Sequence, residues 1–141
     1  MNIEDRQLFL KAAFTALRIK DFSNEIDWNG MTDEIFYAGW EIHPILWYGI
    51  KEGVLPRPSD KYAELLEKNQ LILRAKSVVI NVLIDEILRK AEQTGIKICL
   101  LKGVSVSQEY YPEPTLRPMC DIDILIEEGS KKGVDNILKG M

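Results

Sequence analysis

A chain of 141 residues, 46% apolar and 28% charged, is long enough for one core and too apolar to stay disordered. Its net charge of −4 argues against general nucleic-acid binding, which needs a basic footprint, and no apolar run reaches transmembrane length. Two cysteines, Cys99 and Cys120, lack metal-type spacing, and the N-terminus lacks a leader-like apolar region, so reduced thiols in a cytoplasmic protein are expected.

Residues 3–19 predict an amphipathic helix, with Leu8, Phe9, Ala12, Ala13, Ala16 and Leu17 on one stripe and Asn2 as its cap. Residues 20–31 are rich in turn formers, and Trp28 should anchor this connector to the core. Thr32 is placed to cap the next helix, which Asp33 and Glu34 favour at its start and Gly39 stops. Another helix should begin near Ile42 or His43, carry Pro44 in its first turn and end at Gly53. Its apolar face is Ile45, Leu46, Trp47 and Ile50. His43 is the sole histidine; it cannot make a metal site alone and lies far from the acidic motif, so a capping or packing role is expected. Leu55-Pro56-Arg57-Pro58 is a stiff linker. Ser59 then caps the longest helix, 60–94, closed by Gly95 and apolar over a broad face, as the centre of a helical bundle would be.

After Gly95 the hydrophobic period changes. Ile96–Leu101 reads as a strand, Gly103 as a break, and 104–110 as a short helix. Tyr111-Pro112-Glu113-Pro114 must turn, a second strand runs from Asp121 to Glu127, and Ser130 is placed to cap a last helix through Leu138. In a strand Asp121 and Asp123 leave the same face, with Cα atoms about 6.6 Å apart. Two carboxylates so placed can share a divalent cation, because hard cations take oxygen ligands. Ile122, Ile124 and Ile126 alternate to the other face.

Leu100-Leu101-Lys102-Gly103, followed by Arg117-Pro118-Met119-Cys120-Asp121-Ile122-Asp123-Ile124-Leu125, resembles the nucleotidyltransferase superfamily, and more narrowly the bacterial uncharacterised nucleotidyltransferase family. Val104 departs from the pattern, standing where the superfamily usually has Gly or Ser. The resemblance implies metal-dependent transfer of a nucleotidyl group from an NTP to an unknown acceptor. It makes Asp121 and Asp123 the catalytic carboxylates and the ligands of Mg²⁺ or Mn²⁺, with Lys102, Gly103, Ser105 and Arg117 at the nucleotide. The chemistry suits each position. Gly103 admits phosphate close to the backbone, and Ser105 adds a hydroxyl donor. Lys102 either neutralises phosphate or points away, and Arg117 either clamps a triphosphate or pairs with Glu113. Tyr110 and Tyr111 either stack on a base or pack in the core.

The superfamily takes a third carboxylate from a later strand. No strand follows Glu127 here; Glu127 itself would lie about 13 Å from Asp123 along a strand, Glu128 faces the other way, and Asp135 falls on a helix. The chain therefore resembles the N-terminal portion of a longer family member, with little or no catalysis expected of it alone. The fold expected is α+β: a helical region over 1–95, then over 96–141 the start of a nucleotidyltransferase-like small mixed sheet, whose exposed edge could pair with a second copy. Two other readings compete: a non-catalytic nucleotide-binding or protein-interaction module that keeps the fold, and a glycosyltransferase using its D-x-D on a nucleotide sugar.

Overall fold

The computed structural model describes residues 3–141. Helix α1, Ile3–Ala16, ends three residues before the expected boundary, and its proposed cap, Asn2, lies outside the described residues. Two features stop it. Arg18 takes a positive φ of 56°, and the Ile19 N–H reaches back to the Phe14 carbonyl at 2.9 Å, a Schellman-type closure. Thr15 pins the connector that follows: its hydroxyl donates to the Lys11 carbonyl and accepts from the Phe22 N–H, both at 2.9 Å. Trp28 does anchor the connector, since its indole N–H donates to the Pro56 carbonyl at 2.8 Å while its ring packs on the core.

Helix α2 spans Asp33–Ala38, and the Thr32 hydroxyl accepts the Ile35 N–H at 3.3 Å, as an N-cap should. Helix α3, His43–Lys51, has Pro44 in its first turn and closes before Gly53, whose φ of 70° is left-handed. Helix α4 runs over Asp60–Thr94, 35 residues or about 52 Å, and ends on Gly95, also at φ 70°; Ser59 holds the N-cap position, but its hydroxyl makes no capping hydrogen bond.

The main core lies where α1, α3 and the first half of α4 meet. Phe9, Phe36, Leu46 and Leu66 are buried there. Gly49 is the point of closest approach between α3 and α1. A Cβ there would stand 2.7 Å from the Ala16 Cβ and 2.7 Å from Leu55 Cδ1. Ala16 Cβ is fixed to backbone and cannot swing away. Gly49→Ala should therefore destabilise the fold by ~1–3 kcal/mol through overpacking, reversing the gain of roughly 1 kcal/mol that helix propensity alone would give. Urea unfolding of the two proteins would check the sign; a stabilised variant would mean that the crossing is loose.

The second half of α4 supports the α/β part. Strand β1, Ile98–Leu100, pairs antiparallel with β2, Ile124–Ile126, in the register Ile98 to Ile126 and Leu100 to Ile124. Both are shorter than the sequence suggests. Among the described residues the sheet holds these two strands, and beyond them the pairing continues through the Leu101 N–H and the Asp123 carbonyl. Helix α5, Lys102–Tyr110, follows β1, and helix α6, Lys131–Lys139, follows β2. A smaller core joins these elements to α4 through Ile84, Val104 and Met119, with Leu100 and Ile122 packed beside them. Helices dominate, with one small sheet, so the fold is α+β. Among the described residues no helix is long and apolar enough to cross a membrane.

Candidate functional site

The two motif segments lie side by side. The Leu101 N–H bonds the Asp123 carbonyl at 2.9 Å, which continues the β1–β2 pairing one step beyond the regular strands. The backbone at residue 123 is thereby fixed against the junction of β1 and α5. Regular strand starts only at Ile124, so Asp121 and Asp123 sit in the extended lead-in to β2 rather than within it. Asp121 is exposed and Asp123 half-buried.

Lys102 occupies the first position of α5 with a φ of 48°. A lysine in the left-handed region is uncommon and costs free energy. That backbone turns its side chain toward β2, where Nζ lies 3.1 Å from Asp123 Oδ2. Of the two orientations open at the sequence level, the structure therefore takes the one toward the acids.

Gly103 is the second residue of α5, and a Cβ on it would stand 3.2 Å from a terminal guanidinium nitrogen of Arg117 and 3.8 Å from Met119 Cγ. The missing side chain is what lets the Arg117 guanidinium lie against the helix start. The alternative pairing of Arg117 with Glu113 does not occur, because Glu113 is bonded to Arg74 of α4. The Arg117 backbone is held from below: the Ser77 hydroxyl, fully buried on α4, lies 3.4 Å from its carbonyl. Sequence reasoning missed Ser77. Its signal was a small hydroxyl residue in the middle of the buried stripe of α4, between Leu73 and Ile84.

Val104, the departure from the superfamily pattern, is fully buried against Ile84 and Met119. Its β-branched side chain fills space between α5 and α4, so at this position the chain packs its core. Ser105 is half-buried one residue further along α5. The tyrosines diverge. Tyr111 packs against the main core, whereas Tyr110 is 73% exposed at the far end of α5. Seven residues of helix separate Tyr110 from Gly103, about 10 Å. It is not a core residue, and it does not flank the helix start.

Lys102 thus meets Asp123, and Arg117 lies against Gly103, where β1, α5 and the lead-in to β2 adjoin; Asp121 is exposed two residues before Asp123. The arrangement offers the Asp123 carboxylate, two cations and the start of α5 along one junction, with the Asp121 carboxylate two residues up the same segment. Such a set is chemically suited to a metal-bound polyphosphate. Glu127 is separate: it pairs with Lys97 at 3.2 Å across the other end of the strands. Among the described residues no group of three or more His, Cys, Asp or Glu side chains gathers as a metal cluster. Mg²⁺ is compatible with fewer, since it is commonly held by one or two carboxylates plus substrate phosphates. His43 stands apart from all of this, buried between α2, α3 and α4.

No curated protein and no solved structure matches the chain. The family model described as uncharacterised nucleotidyltransferase matches residues 24–141, most of the length and the whole of the convergent site, and the protein belongs to that family.

Proposed function

We propose that this chain binds a nucleoside triphosphate for metal-dependent nucleotidyl transfer, at the junction of β1, α5 and the lead-in to β2. The observation that carries the reading is the convergence of two cations on the acidic motif and the helix start: Lys102 at 3.1 Å from Asp123, and Arg117 lying over Gly103. Asp121 and Asp123 would hold Mg²⁺ or Mn²⁺, and the ion, when bound, supplies neutralisation of phosphate charge and activation of the acceptor oxygen. Arg117 suits the outer phosphates, because a guanidinium can give two parallel hydrogen bonds to phosphate oxygens. The α5 amides beside Gly103 take a further phosphate oxygen, and Ser105 adds a hydroxyl within the same turn. Lys102 balances Asp123 in the free protein and turns to phosphate when the cation arrives.

The competing reading is a nucleotide-binding module without turnover. It is favoured by one observation: two carboxylates, and no third beside them among the described residues. The two readings share the binding step and differ in whether a nucleotidyl group moves.

The first experiment follows thermal unfolding with Mg²⁺ or Mn²⁺ and each of ATP, GTP, CTP and UTP. With free nucleotide a hundredfold above its Kd, binding adds about 2.7 kcal/mol of stability, a shift of several degrees. Asp121→Asn combined with Asp123→Asn should abolish that shift, and Arg117→Ala should reduce it while leaving the ligand-free melting temperature close to that of the parent. A nucleotide shift that survives the double replacement would place binding elsewhere and overturn the reading. Release of pyrophosphate on adding candidate hydroxyl acceptors then separates transferase from module.

A further inference from the structure

Helix α4 is apolar on two opposite faces. One face carries the buried residues Leu66, Leu73, Ile84 and Ile87. The other carries Leu71, Ile72, Val78, Val79, Val82 and Leu83, each between 41% and 61% exposed. Their spacing is helical, so they form a single stripe about 18 Å long. Scattered exposed apolar residues need no explanation, but a contiguous stripe of six large ones marks an interface.

The pattern within the stripe fits a second copy of the same helix. Ile72, Ala75, Val79 and Val82 follow the 3-4-3 spacing of a helix–helix seam. That spacing is symmetric about Ser77 in sequence: Ile72 mirrors Val82, and Ala75 mirrors Val79. The next seam positions outward are Lys68 and Glu86, which mirror each other and are opposite in charge. Two copies of α4 laid antiparallel therefore match layer by layer. Ile72 meets Val82 of the second copy, the small Ala75 meets Val79, and Lys68 meets Glu86 at both ends. A parallel pair would instead set Lys68 on Lys68 and Glu86 on Glu86. Glu86 already accepts from Arg89 at 2.7 Å within the helix, which holds its carboxylate at the seam's end. Lys76 flanks the middle of the stripe, and its four-carbon stem can carry the ammonium out to water.

We propose that the exposed face of α4 is a self-association surface, on which a second copy of this chain docks through its own α4, antiparallel about a two-fold axis near Ser77. An isologous pairing of this kind uses one patch twice and leaves no open end for growth. It also leaves the buried face of α4, which carries Ser77 beneath Arg117, free to support the site.

The test is the oligomeric state by sedimentation, across a range from low to high micromolar chain. The parent should be a dimer that dissociates on dilution. Val79→Glu places a carboxylate in the seam at a position exposed in the monomer, and should raise the dimer Kd by about a hundredfold or more with unchanged helicity and melting of the monomer. Lys68→Glu should weaken the dimer, and Lys68→Glu together with Glu86→Lys should restore it. Restoration is specific to the antiparallel pairing, since a parallel one gains nothing from the exchange. A parent that stays monomeric throughout would overturn the proposal. So would a dimer that ignores Val79→Glu but is lost on Leu125→Lys, because that result moves the interface to the sheet.

Discussion

Leu116→Ala should cost about 2–5 kcal/mol of stability, in the range for emptying a fully buried leucine site. Leu116 is the last residue of a 3₁₀ turn, Pro114–Leu116, and is completely shielded from solvent. It comes from the region after β1 and α5, yet it belongs to the main core with Phe9, Leu46 and Leu66. The side chain therefore ties the segment carrying the acidic motif to the helices that precede it. Truncation leaves a cavity between elements that are already held by α4, and such a site collapses poorly. A second effect follows from sequence adjacency. Arg117 is the next residue, and its guanidinium lies over Gly103 because the turn before it is anchored. Loss of the anchor should weaken nucleotide binding as well as stability. Urea unfolding gives the first quantity, and the nucleotide-induced melting shift at a temperature where the variant is fully folded gives the second. A stability loss under about 0.5 kcal/mol, the size of an ordinary surface change, would mean that the turn is not a strut.

Acidification from neutral pH should weaken the protein through His43. His43 is fully buried, and burial pushes its pKa down to about 4 from an ordinary 6.5. Its ring packs on Phe36 with centroids 4.2 Å apart and planes tilted by 36°. One nitrogen, Nε2, lies 3.1 Å from the Phe36 carbonyl. A carbonyl can only accept, so Nε2 carries the proton. Neutral Nδ1 is then the acceptor for the Asn69 amide, 3.3 Å away. Protonation at Nδ1 would set two donors against each other in a dry site. The sign follows from linkage. Above pH 6.5 the histidine is neutral in both folded and unfolded chains, and stability is full. Between 6.5 and about 4 the unfolded chain takes up a proton that the folded one refuses, so stability falls with pH. Below about 4 both forms are protonated and the loss levels off, at about 3 kcal/mol for a shift of this size. Asp21, Asp33 and Glu86 have pKa values below their ordinary range, each lowered first by hydrogen bonding, to Ser23, Lys61 and Arg89 respectively. They lose their contribution at lower pH and leave the upper part of the window to His43. His43→Gln can keep both hydrogen bonds and cannot titrate. Urea midpoints at pH 7 and pH 5 should fall for the parent and stay level for this variant. Equal falls in both would assign the slope to other groups.

The histidine shows how far sequence reasoning reached. Its isolation from other ligand types was enough to expect a capping or packing role, but not to choose between them or to name Phe36 and Asn69 as its partners. Arg117 shows the limit more sharply. Two partners were open to it, an anionic ligand and Glu113, and sequence could not choose, because the deciding residue was Arg74, far away on α4. The strands show it a third way. Ile96–Leu101 and Asp121–Glu127 have strand composition throughout, yet only three residues of each are regular, because a ladder needs a neighbour as well as a propensity.

Local chemistry settled the features that depend on nearby residues alone. Thr32 caps α2, and Gly53 and Gly95 close their helices in left-handed conformations that a side chain would oppose. The 3.6-residue period marked α4 over nearly its whole length, and the motif residues identified the family that the family model matches. Tertiary structure decided what depends on distant neighbours. It ended α1 at Ala16, carried Leu116 into the core of the preceding helices, and laid Arg117 over Gly103. It also turned the second apolar face of α4 to solvent. The physical reason is the range of the forces: capping and backbone preference act over a few residues, while packing and ion-pair choice are settled only when the folded chain decides which groups meet.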